Sequence, residues 1–139
     1  MLNDEPNVYT LTRAAPSGPF SVWHPFLDIV WPPLLGSSGL GALRALALAT
    51  DTDVRSEVFE VAELASLIGV APVRFVSAVH RLSDRGLMEV ADNELFVPRY
   101  VHGPSVDEMA TLPLISQRAA WTRLTQGSVR SSVREPRTD

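Results

Sequence analysis

"ELASLIGVAPVRFVSAVHRL", residues 63–82, decides how the rest of this 139-residue chain reads. From Ala62 to Ile68 the apolar residues Leu64, Ala65, Leu67 and Ile68 fall on one helical face. Gly69 supplies the left-handed backbone that ends a helix tightly. Pro72 suits the first turn of a following helix, where its missing N–H costs nothing. From there Phe75, Ala78, Val79 and Leu82 recur at three- and four-residue spacing, so a second helix over 72–85 is expected to turn that stripe inward.

Working outward, "RGLMEVADNELFVPRY" (85–100) predicts a glycine stop, a strand at 87–90, a tight turn at Asp92–Asn93 and a return strand at 94–97. Upstream, "VFEV" (58–61) alternates as a short strand does, after the polar loop "DTDVRSE". Before that loop, "GSSGLGALRALALAT" (36–50) predicts a helix capped by Ser37 or Ser38. Its leucines Leu40, Leu43, Leu46 and Leu48, with alanines between and Arg44 as the main polar position, mark a mostly buried helix.

Helix 36–50, strand 58–61, helix 62–68, helix 72–85 and hairpin 87–97 stand in the order of a winged helix-turn-helix domain. The stretch "ELASLIGVAP…VHRLSDRGLMEV" resembles that domain of bacterial and phage transcriptional regulators, over roughly residues 36–98. The resemblance implies a mainly α fold with a small β-hairpin (α+β). It also implies a DNA-binding regulator whose second helix enters the major groove. Mapped onto this chain, the DNA-contacting residues are Ala71, Val73, Arg74, Val76, Ser77, His80 and Arg81, with Arg85 near the helix end. Arg74 and Arg81, seven apart, each suit a phosphate or a guanine edge. Ser77 and His80 can donate hydrogen bonds, and Val73 and Val76 can touch a thymine methyl.

The hairpin turn departs from the family. It presents Asp92 and Glu94, with Glu89 nearby, where a DNA-gripping wing offers cations. Carboxylates repel phosphates, so neutralisation falls to Arg74, Arg81, Arg85, Arg99 and the basic tail. A second reading therefore stays open: a winged-helix module, of adaptor or anti-repressor type, that binds a protein and no DNA.

Charge is split along the chain. All twelve basic residues are arginines. Residues 1–117 hold seven of them against fourteen Asp and Glu, a balance of −7, while residues 118–139 carry +3. Residues 1–35 hold Pro6, Pro16, Pro19, Pro25, Pro32 and Pro33 beside Tyr9, Phe20, Trp23, Phe26 and Trp31. Proline bars a long helix and the aromatics need burial, so an extended arm is expected, packed on its own domain or around a partner subunit.

"SVDEM" is a capping box, Ser105 with Glu108, and starts a C-terminal helical segment (105–125) that Pro113 interrupts. Leu114, Trp121 and Leu124 fall near one face and suit packing on the body or a homodimer contact. Residues 126–139, polar and rich in Arg and Ser, are expected to be disordered.

Catalysis finds no support. The chain has no cysteine, and His24, His80 and His102 lie in unrelated segments without a companion at metal-ligand spacing. "GSSGLG" lacks the lysine of a phosphate loop. Neither enzyme activity nor a cofactor or metal is expected. No apolar run approaches the ~20 residues of a membrane span. The start "MLNDEPNVYT" lacks the regions of a signal peptide, so no membrane association and a cytoplasmic location are expected.

Overall fold

A computed structural model describes residues 6–50, 56–118 and 121–122. The fold is mixed, with short helices around a small sheet. The proline-rich arm is not simply extended. It contributes β1 (Val8–Ala14), β2 (Phe20–Ser21), α1 (Phe26–Val30) and α2 (Pro32–Leu35). Then follow α3 (Gly39–Ala49), β3 (Ser56–Glu60), α4 (Val61–Ser66), α5 (Pro72–Asp84), β4 (Glu89–Ala91), β5 (Glu94–Pro98), β6 (Tyr100–Val101) and α6 (Val106–Ala110). A further helical stretch covers 114–118 and 121–122.

The four-stranded sheet runs β3-β1-β5-β4. The arm's own strand thus lies between the strand before α4 and the hairpin. β1 is antiparallel to β3, with Tyr9 opposite Phe59, and parallel to β5, with Leu11 beside Leu95. Alternation explains the placement. Tyr9 and Leu11 point into the core at 2% and 1% exposure, and Thr10 and Thr12 point the other way. Truncating a fully buried leucine such as Leu11 to Ala costs about 2–5 kcal/mol.

The helices pack on the inner face of this sheet. Leu43 and Leu46 of α3, Leu64 of α4, and Phe75, Val79 and Leu82 of α5 meet Leu95 and Val97 of β5 in one core. Leu48, expected to be buried with the other leucines of α3, faces solvent instead. The arm's aromatics supply much of the remainder: Trp31 is fully buried and its Nε1 donates to the His102 carbonyl at 3.3 Å. Trp23 alone among the arm's large aromatics is exposed.

Arg44 clamps the arm to α3. Its Nε donates to the Val22 carbonyl at 2.8 Å, and its guanidinium forks onto the Asp28 carboxylate at 2.8 and 3.1 Å. The hydrogen bond from Arg44 holds the Asp28 carboxyl below its ordinary range, partial burial opposes this, and the Arg44 charge adds to the lowering. Ser38 is the N-cap residue of α3, yet its side chain makes no capping hydrogen bond, so the expected serine cap is absent. The Ser105 capping box is complete. The Ser105 hydroxyl accepts from the Glu108 N–H at 3.1 Å, and the Ser105 N–H donates to the Glu108 carboxylate at 2.8 Å.

Among the described residues, no helix is long and apolar enough to cross a membrane. Leu124 and residues 126–139, named above for a dimer contact and for disorder, lie outside the described residues.

Candidate nucleic-acid interface

α4 and α5 are joined by the turn around Gly69, whose φ is +70°. The turn closes through the Val70 N–H donating to the Ala65 carbonyl at 3.2 Å. α5 begins at Pro72 after an extended Ala71, and its buried side consists of Phe75, Val76, Ala78, Val79 and Leu82. The remaining arc is the candidate surface.

The structure sorts the expected contact residues into three groups. Val73, Arg74, Ser77 and His80 are exposed, on the first turns of α5. Among the described residues the Arg74 side chain has no hydrogen-bond or ion-pair partner. Val76 is a correction: at 4% exposure it belongs to the core. Helices α2, α3 and α4 all pack against α5, so its buried arc is wider than a single 3.6-residue stripe and takes in position 76.

Arg81 and Arg85 form the third group, on the right helix but already engaged. Arg81 is half-buried, its Nη1 donates to the Ser77 hydroxyl at 3.1 Å, and its Nε is hidden from solvent without an acceptor. Arg85 donates to the Glu108 carboxylate at 2.8 Å. Glu108 is held below the ordinary carboxylate range, first by the Ser105 backbone hydrogen bond, against partial burial, and further by Arg85. An arginine so paired has little charge left for a phosphate.

Several carboxylates of the elements that carry this arc face solvent. Glu63 on α4, Asp84 at the end of α5, and Glu89 and Asp92 of the hairpin are all exposed. Asp92 sits at φ +56°, in the left-handed region expected of this turn. Arg99 is half-buried and has interactions of its own. Leu67, assigned by its spacing to the inner face of α4, is 54% exposed beside the turn, and Val73 is 55% exposed. Leu67 keeps a helical backbone (φ −63°, ψ −27°), but the buried stripe is centred on Val61, Leu64, Ala65 and Ile68, and helical spacing sets position 67 at its outer edge.

The histidines remain apart. The Phe26 N–H donates to His24 Nδ1 at 3.0 Å, and His102 Nδ1 and Nε2 lie 2.8 and 3.2 Å from the Gly103 and Gly86 carbonyls. Among the described residues, no three His, Asp or Glu side chains are grouped to hold a metal. The C-terminal stretch presents Leu114, Ile115 and Trp121 at 63%, 77% and 70% exposure.

Compared with known protein families, with characterised proteins and with solved structures, the chain shows no match.

Proposed function

We propose that α3–α5 with β3 and the β4–β5 hairpin form a winged helix-turn-helix unit, and that the protein is a DNA-binding regulator. The first turns of α5 enter the major groove. The observation that supports this best is the division of α5: one side is committed to the core, while Val73, Arg74, Ser77 and His80 stand clear of it. Arg74 is the main contact, because it is exposed and unpaired among the described residues. Arg81 is a secondary one, available only after leaving its place against Ser77. The acidic hairpin stays off the phosphate backbone.

A salt titration of binding to random and genomic duplex fragments tests this. Arg74 and Arg81 on phosphates give a slope of log K against log salt of roughly −2. Arg74→Ala should cost about 1–3 kcal/mol if Arg74 reads a base, or reduce that slope by about one if it holds a phosphate. The reading fails if no duplex is bound at low salt, or if a folded Arg74→Ala variant binds as the parent does.

A second reading, a protein-binding module without DNA activity, draws on Leu67 and Val73. Both are more than half exposed on either side of the turn. Under either reading we propose that the exposed Leu114, Ile115 and Trp121 pair two copies of the chain.

A further inference from the structure

The sheet has a second face, turned away from the core. Strand register defines it. Thr10 faces Val58 on β3 and Glu94 on β5, Val8 faces Glu60, and Phe96 lies beside Thr12 and opposite Glu89. All these residues point away from the core that Tyr9, Leu11, Leu95 and Val97 enter.

Two properties set this face apart. Its charge is of one sign: Glu60, Glu89 and Glu94 lie on it, and no arginine of the four strands does. Arg13, at the far end of β1, follows the inward register and its Nη2 donates to the Thr50 carbonyl at 3.0 Å. The face is also apolar between the carboxylates. Val58 is 60% exposed, and Phe96 is half-buried at the edge of a cleft of about 380 Å³ that Glu89 also lines. Glu94 accepts a hydrogen bond from Thr12 at 3.2 Å, while Glu60 and Glu89 have no side-chain partner among the described residues.

We infer that this sheet face docks a protein segment that carries arginine or lysine among apolar residues. One basic side chain lies in the cleft, its stem against Phe96 and its head at Glu89. Others meet Glu94 and Glu60, and an apolar residue covers Val58. The chemistry selects this class. Nucleic acid and anionic lipid are repelled by three carboxylates, and a free polyamine has no use for Val58 and Phe96.

Isotope-labelled full-length protein, titrated with a peptide repeating Val-Arg-Thr-Arg and with its counterpart repeating Val-Glu-Thr-Glu, tests the inference by amide shifts. The arginine peptide should give saturable shifts within 8–12, 58–60 and 89–96, leaving 73–80 unmoved, and the glutamate peptide should give none. Replacing Glu60, Glu89 and Glu94 together by Gln keeps the side-chain shapes and should weaken binding roughly tenfold. A control variant, Glu63→Gln with Asp84→Asn and Asp107→Asn, removes as much exposed charge elsewhere and should bind as the parent does. Absent shifts, shifts at every exposed carboxylate alike, or an equal loss in the control variant would overturn the inference. Loss of DNA binding would leave it untouched, since the two surfaces share no residue.

Discussion

Arg81 lies back across Gly36, so close that a side chain starting at Gly36 would meet the Arg81 Nε at 3.6 Å and its Cζ and Nη2 at 3.7 Å. The middle of α5 is thereby fastened to the end of α2, and the arm to the candidate reading helix. This contact leaves an N–H of the guanidinium hidden without an acceptor. A buried unsatisfied donor costs about 1–3 kcal/mol. Arg81→Met keeps the packing stem and removes the unmet N–H, so it should leave stability unchanged or raise it by about 1 kcal/mol. Urea denaturation of parent and variant measures this, and a loss of more than about 1 kcal/mol would mean that the guanidinium holds the helices together.

Gly69 isolates a backbone effect. Its φ is +70°, and a Cβ placed there would meet nothing within 4 Å. The cost of Gly69→Val is therefore conformational alone, about 1–3 kcal/mol. Gly69→Asn should cost markedly less, because asparagine tolerates the left-handed region. Equal thermal melts for the two variants would refute the assignment.

Acid should loosen the join between α5 and α6. The folded-state pKa of Glu108 lies below its ordinary value. Its contribution to stability is thus fully present above the ordinary carboxylate value, and is lost as pH falls through the lowered one. Glu108→Gln should remove that part of the acid-side slope. Hydrogen exchange at 106–111, followed from neutral to acid pH in both proteins, gives the readout, and identical profiles would deny Glu108 this role.

What was readable in the sequence was local. Ser105 and Glu108 are three residues apart, and both hydrogen bonds of their box form. Phe75, Ala78, Val79 and Leu82 announced the buried side of α5 because one helix carries them all. The misreadings of β1, Arg85 and Val76 concern partners distant along the chain. "VYTLTRA" (8–14) alternates as a strand does, but prolines on both sides drew attention from it, and its neighbours are the strands ending at Glu60 and Pro98. Arg85 looked free for DNA because Glu108 is 23 residues away. Val76 looked outward because a single stripe cannot reveal several helices packing on α5.

Trp121, 70% exposed, offers the clearest test of assembly. If Leu114, Ile115 and Trp121 pair two copies, Trp121→Glu should halve the particle mass in sedimentation while keeping the parent's circular dichroism, and its thermal melt should no longer rise with protein concentration. A parent that already sediments as a monomer, across the micromolar range, would rule the pairing out.

The central position of β1 also sets a timetable for synthesis. β1 must wait for β5: Thr12 meets Glu94 across 82 residues of sequence. At ribosomal rates of about 5–20 residues per second that wait is roughly 4 to 16 seconds. During it β1 has β3 alone to pair with and its other edge stays open, whereas α4 and α5, close together in sequence, can already pair. A nascent strand so exposed invites wrong pairing. Thr10 and Thr12 between its apolar residues, with Pro6 before it and Pro16 after, help a newborn chain keep that edge free until its hairpin emerges.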